Sequence, residues 1–169
     1  MLVGVMSDTH DNISKIDQAL RVFSEWGVEM IIHLGDYIAP FSLARILSSG
    51  KRFIGVLGNN DGEKLGLKEL VIRAGQELYD PPHEIRISGK RILLIHGYGP
   101  KERTREIVES IARGGSYNAI LYGHTHEANL RIEKGTLILN PGEVFGGLTG
   151  RSSVAVLDID KMEAKIIEI

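Results

Sequence analysis

The chain has no cysteine, which excludes disulfides, thiolate-held zinc and a cysteine nucleophile together. Any metal ligands must therefore come from His, Asp, Glu, Asn and water. No apolar stretch approaches about 18 residues, and Met1-Leu2-Val3-Gly4-Val5-Met6 runs into Ser7-Asp8 with no basic segment or small-residue cleavage site. Neither a membrane span nor a signal peptide is expected, and a soluble, cytoplasmic protein is. Excess charge is also lacking. A formal net charge of −2 gives no general attraction to nucleic acid or anionic membrane, so a phosphate-bearing ligand would have to be captured locally. At 169 residues the chain fits one domain spanning 1–169, which at this length buries about 70% of the surface of the unfolded chain.

What is present is a succession of short apolar runs. Leu2 to Ser7 has no helical period and suits a buried strand. Asn12 can cap the helix that follows, where Ile13, Ile16, Leu20 and Phe23 recur at helical spacing before Gly27. The unit repeats as a strand over Val28 to Leu34 and a helix over Phe41 to Leu47, then as a strand over Arg52 to Leu57 and a shorter helix around Leu67 to Arg73. Three such units imply a parallel sheet.

The second half is hairpin-like. Glu84 to Ser88 and Arg91 to Ile95 flank Gly89-Lys90, read as a two-residue turn. Lys101 to Arg113 is helical and Ala119 to Tyr122 a strand. The pairs Asn129 to Glu133 with Thr136 to Leu139, and Ser153 to Ile159 with Ala164 to Ile169, complete the chain. The expected fold is α/β: two mixed β-sheets packed as a sandwich with helices on the outer faces, the late hairpins completing the second sheet.

Five of the apolar runs end in polar clusters: Asp8-Thr9-His10, Gly35-Asp36, Gly58-Asn59-Asn60-Asp61, His96-Gly97 and Gly123-His124-Thr125-His126. Ligands in α/β sheets sit beyond the carboxyl ends of strands, where all five fall. In extended backbone residues i and i+2 project to one side at ~7 Å, so Asp8 and His10 can converge on one ion, as can His124 and His126. Carboxylates with neutral imidazoles suit Zn, Mn, Fe, Co or Ni rather than Mg or Ca. Asp8, His10, Asp36, Asn59, His96, His124 and His126 are too many for one four-coordinate ion and about right for two, with Asp36 as the bridge. Two ions about 3.5 to 4 Å apart can hold a water between them, lower its pKa to about 7 and neutralise phosphoryl oxygens during in-line attack.

On these clusters, in this order and spacing, the chain resembles the calcineurin-like metallophosphoesterases, especially their small single-domain phosphodiesterase branch. The resemblance spans essentially the whole length. It implies that Asp8, His10, Asp36 and His126 hold one metal and that Asp36, Asn59, His96 and His124 hold a second. It also implies that Asn59 donates its amide to a phosphate oxygen, that manganese or nickel supports activity, and that Asn140-Pro141-Gly142 borders the site. The expected activity is that of a metal-dependent phosphodiesterase in which a hydroxide bridging the two ions attacks phosphorus directly.

Asp61 either orients a ligand or the attacking water, joining Asp36, Asn59 and His96 as catalytic residues, or caps the next segment. His33 is expected to pack structurally inside its strand, and His83 to be a solvated loop residue. Gly142 to Gly150 is either a substrate lip or a surface turn, and Arg151 after it is a candidate phosphate or base contact. Small phosphate esters, including cyclic or linear nucleotides, are the expected substrates; no extended nucleic acid or membrane is, and the oligomeric state is left open, a homodimer included. The alternatives are a phosphomonoesterase, a nuclease, for which no basic groove is visible, and a non-catalytic protein-interaction scaffold with the same fold. Ligand completeness favours catalysis.

Many members of the family place a His, as an acid for the leaving group, where this chain has Asn60. An amide cannot donate a proton in that role near neutral pH. Esters of good leaving groups such as nitrophenol should therefore turn over faster than alkyl esters. Equal rates across a leaving-group pKa series, with chemistry rate-limiting, would contradict this; recovery of poor leaving groups by Asn60→His would support it.

Overall fold

The computed structural model describes residues 1–169, and its architecture follows from which side of each strand is apolar. In β1 (Leu2–Met6), β2 (Met30–His33) and β3 (Arg52–Val56) one face carries Val3, Val5, Met30, Ile32, Ile54 and Val56. The same core receives Ile85 and Ile87 from β5 (His83–Ile87), Ile92 and Leu94 from β6 (Lys90–Ile95), and Ala119 and Leu121 from β7 (Ala119–Tyr122). Two sheets are thus sealed face to face.

Their outer faces are covered by helices. Met6, Ile31 and Phe53 meet α1 (Ile13–Glu25), α2 (Pro40–Leu47) and α3 (Lys64–Arg73) through Ile16, Phe23, Leu43, Ile46 and Leu67. On the other side Leu93, Ile95, Ile120 and Tyr122 meet Val108 and Ala112 of α4 (Lys101–Arg113). The helices start and stop as their ends dictate: Asn12 accepts a hydrogen bond from the Lys15 amide at 3.2 Å, and Pro40 opens α2. No helix is long and apolar enough to cross a membrane.

The first sheet has the order β11-β10-β1-β2-β3-β4 and the second β5-β6-β7-β9-β8. Here β4 is Glu77–Tyr79, β8 Asn129–Glu133, β9 Thr136–Asn140, β10 Ser153–Asp158 and β11 Glu163–Glu168. β1, β2, β3 and β4 run parallel, as the three β-α units imply. β6, β7 and β9 run parallel in the second sheet.

Three expectations need correction. The β10–β11 hairpin joins the first sheet, not the second: β10 lies antiparallel to β1, with Leu2 opposite Asp158 and Val5 opposite Ala155. The 87–90 turn is centred on Ser88-Gly89, with φ 49 and 75, and Ile87 pairs with Lys90. A two-residue turn with positive φ at both positions puts Gly second, so the hairpin begins one residue earlier than Gly89-Lys90 suggests. His83 is not in a loop but opens β5, half-buried and stacked on Tyr79 at 3.5 Å between ring centroids. β4, three residues long, was not anticipated.

Phe23 is the largest side chain that α1 places against the sheet, and it is fully buried. Phe23→Ala should cost about 3–5 kcal/mol of unfolding free energy in chemical denaturation. A loss below about 1 kcal/mol would show that α1 is not held to the sheet by this ring.

Candidate metal centre

All five polar clusters emerge from the carboxyl ends of β1, β2, β3, β6 and β7. The backbone there is not extended. Asp8, His10, Asp36, His124 and His126 have φ of 53, 39, 62, 66 and 61, a left-handed region that non-glycine residues seldom occupy unless their surroundings fix them. Those surroundings are visible: the Asp8 amide donates to Gly35 O at 3.0 Å, and the Thr9 and His10 amides to Asp36 O at 3.0 and 3.2 Å. The expected i, i+2 convergence on extended backbone is therefore replaced by sharp turns. The turns bring Asp8 and His10 together but send His124 and His126 to different groups.

The first group is Asp8, His10, Asp36 and His126, each offering an atom within 4.8 Å of the others. His126 Nε2 is 3.5 Å from Asp8 Oδ1, and His10 Nε2 is 3.5 Å from Asp36 Oδ2. Asp8 Oδ1 and His10 Nε2 are buried and have no hydrogen-bond partner. Buried polar atoms are ordinarily satisfied, so two orphans aimed at one point mark a place for a cation.

The second group is Asn59, His96 and His124, with the other oxygen of Asp36. Asn59 Oδ1 is 2.9 Å from His96 Nε2 and 2.8 Å from His124 Nδ1, and Asp36 Oδ1 is 3.5 Å from His96 Nε2.

The ring protons explain what these distances mean. His96 Nδ1 faces the Leu34 carbonyl at 2.6 Å and His124 Nε2 faces the Gly99 carbonyl at 2.6 Å. A carbonyl can only accept, so each of these nitrogens carries the hydrogen and, in neutral rings, His96 Nε2 and His124 Nδ1 are lone pairs. His126 Nδ1 likewise donates to the Glu143 carboxylate at 2.8 Å, which leaves its Nε2 as a lone pair toward Asp8. Acceptor atoms thus converge on acceptor atoms in both groups, an arrangement that only positive charge stabilises. Neutral imidazoles with carboxylate and amide oxygens are a donor set for divalent transition metals.

With no ion bound, a proton on His96 Nε2 takes the place of that positive charge. Burial would suppress the charge of Asp36, but a protonated His96 beside it and hydrogen bonds from the Asn60 backbone and side chain outweigh it and hold the carboxyl well below its usual range. Burial also opposes a charged His96, yet Asp36 and Asp8 raise its pKa. For Asp8 burial wins and pushes the carboxyl up, against the pull of His96 and His126.

Asp61 does not face the convergence point. It is buried, its Oδ2 accepts the Asp36 and Gly58 amides at 3.1 and 2.7 Å, and its Oδ1 accepts the Ile38 amide at 2.9 Å. It ties the β2 and β3 exits together. Asn60 donates its amide to Asp36 Oδ1 at 2.9 Å and its Nδ2 to Asp36 Oδ2 at 2.7 Å. His33 is buried, stacks on Tyr37 at 3.9 Å, accepts the Gly35 amide on Nδ1 and contacts Thr9 Oγ1 through Nε2, so it is structural as expected.

Asn140 braces the last cluster, giving Nδ2 to Gly123 O and Thr125 Oγ1, each at 3.0 Å. The 142–150 segment is anchored to the β1 exit: the Val144 amide donates to Ser7 O and the Phe145 amide to Asp8 O, each at 3.0 Å. Arg151 is exposed.

Glu143 was not anticipated. It is fully buried; one oxygen holds His126 and the other accepts the Leu148 amide, the Thr149 amide and the Thr149 hydroxyl. Those bonds, the Thr149 amide first among them, keep its carboxyl below the ordinary range despite burial. Its only sequence signal is its place directly after Asn140-Pro141-Gly142.

Comparison with known proteins accords with this geometry. The calcineurin-like phosphoesterase superfamily domain matches residues 1–162. Phosphodiesterase MJ0936 of Methanocaldococcus jannaschii is 33% identical over 168 residues, 99% of this chain and 98% of that protein. Phosphodiesterase YfcE of Escherichia coli is 25% identical over 91% of this chain and 85% of its own. A solved structure characterised as a novel archaeal phosphodiesterase superposes with a TM-score of 0.91 at 32% identity, covering 100% of both chains.

A carboxylate that fixes the tautomer of a ligating His typically contributes 10- to 100-fold to metal affinity. Glu143→Gln should therefore weaken binding of a divalent transition metal by about 10- to 100-fold in calorimetric titration. Unchanged affinity would remove His126 from the ligand set.

Proposed function

The chain belongs to the calcineurin-like phosphoesterase superfamily, and on that premise we propose that it is a metal-dependent phosphodiesterase with two divalent ions, manganese foremost. Asp8, His10, Asp36 and His126 hold one ion, and Asp36, Asn59, His96 and His124 the other. The observation that carries this reading is the outward turn of the ring protons of His96, His124 and His126, which leaves acceptors facing acceptors around Asp36. Near-full-length similarity to a protein named a phosphodiesterase supports diesters over monoesters.

The chemistry such ions supply when bound is charge neutralisation at phosphoryl oxygens and a water with a pKa brought near 7. The remaining work falls to the chain. Asn59 turns its oxygen to the two imidazoles, which leaves its amide hydrogens to donate to a phosphoryl oxygen. Asn60 keeps both oxygens of Asp36 oriented and charged but has no acidic proton for the leaving group. Asp61 acts at one remove, fixing the Asp36 and Gly58 amides, and is a positioning residue rather than a catalytic one.

On this reading the carboxylates and imidazoles of the site are committed to holding the ions. Cysteine is absent and Ser7 and Thr9 are fully buried, so water is the nucleophile and no phosphoenzyme forms. With all seven ligand positions occupied by competent residues, a scaffold role is the weaker reading. A soluble protein acting on small phosphate esters fits these features.

Asp36→Asn should abolish manganese-dependent hydrolysis of a chromogenic diester while the thermal transition of the fold persists. Attack by water in one in-line step inverts a chiral phosphorothioate centre. Net retention would overturn the direct route, and failure of wild-type protein to hydrolyse diesters with any of several transition metals would overturn the enzyme reading.

A further inference from the structure

Of the imidazoles in the two groups, those of His96, His124 and His126 are each oriented by a hydrogen bond, to the Leu34 carbonyl, the Gly99 carbonyl and the Glu143 carboxylate. His10 has no such bond, and its Nε2 is buried without a partner. The χ2 torsion of a histidine is broad, so a ring that no hydrogen bond fixes is free to turn unless packing holds it.

The neighbours of His10 are rings. His126 stacks on it at 5.3 Å between centroids with the planes 26° apart, and Phe145 meets it at 5.4 Å and 49°. Both separations fall within the ~4.5–7 Å favoured by aromatic pairs. Of the two, only Phe145 lies outside the proposed ligand set.

Phe145 is itself held in place by its backbone. Its amide donates to Asp8 O and its carbonyl accepts from Asn12 Nδ2, each at 3.0 Å, so it is tied to the chain on both sides of His10. At Gly147 an added Cβ would lie 2.2 Å from Phe145 Cε1, so the ring occupies space that only a glycine leaves open. Half-buried, Phe145 packs into none of the three apolar cores. A large apolar side chain outside every core, resting on a candidate ligand, has a local task.

We propose that Phe145 is a positioning residue for His10. Its ring does for this imidazole what the carbonyls and Glu143 do for the others, keeping Nε2 aimed at the point shared with Asp8, Asp36 and His126. The proposal rests on the metal reading above and concerns one ion only. A side chain held in its bound pose beforehand loses less freedom when it binds, which for one side chain is worth about 2- to 12-fold in affinity.

The test is calorimetric titration of metal-free protein with manganese, in which His10→Ala identifies the binding step that uses His10. Phe145→Leu, which keeps apolar bulk without a flat face, should weaken that step by about 2- to 12-fold and leave the other step unchanged. Phe145→Tyr, which keeps the ring, should bind within about twofold of the wild type. A His10 step unchanged by Phe145→Leu overturns the proposal. So does equal weakening of both steps together with a lowered thermal transition of the metal-free protein, which would mark Phe145 as packing alone; in either case the metal reading stands. Wild-type protein that takes up none of manganese, cobalt, nickel or zinc overturns both.

Discussion

Asp36 is a carboxylate with no exposed surface that is nonetheless held in its charged form. A buried, uncompensated charge costs several kcal/mol, and much of the surrounding structure serves as compensation. Asn60 gives it two hydrogen bonds, His10 and His96 approach its two oxygens from opposite groups, and Asp61 fixes its backbone amide. The loops from β1, β3 and β6 meet that of β2 because each has a polar partner to offer this one residue. The same compensation falls short on its far side, where Asp8 Oδ1 and His10 Nε2 have no partner, and that shortfall is the chemical opening of the site.

Much of this was legible in the sequence because the relevant signals are local. The apolar runs, the Asn12 cap and the Pro40 start fix strands and helices within a few residues, and polar clusters at strand exits of a parallel sheet must share one rim. That the seven ligand candidates gather at one rim was readable for that reason, and His33, set inside its apolar run, was readable as a packing residue.

What was not legible depends on partners distant in sequence. Which sheet receives β10 is decided by the free edge of β1, far earlier in the chain, and alternation within Ser153 to Asp158 is silent on it. The division of His124 from His126 was implied by the family resemblance but not by strand geometry, since it depends on the left-handed turns and on who takes each ring proton: Gly99 O for one, Glu143 for the other. Glu143 sits on no recognisable spacing, and its role exists only once the 142–150 segment folds back on the β1 exit. For Asp61 the sequence left ligand orientation and segment capping both open, and its bonds to the Asp36, Gly58 and Ile38 amides could not be read from adjacency.

The pairing of β1 with β10 has a bearing on how the chain is made. β1, Leu-Val-Gly-Val-Met, is an interior strand of the finished sheet, yet the neighbour on one of its sides is synthesised last but one. At translation rates of about 5–20 residues per second, that apolar edge stays unpaired for on the order of ten seconds after it is made. An open edge of this kind is a template for other chains. The nascent protein therefore passes through a window in which a strand destined for the sheet interior presents an open apolar edge, and a ribosome stall before Ser153 would prolong that window.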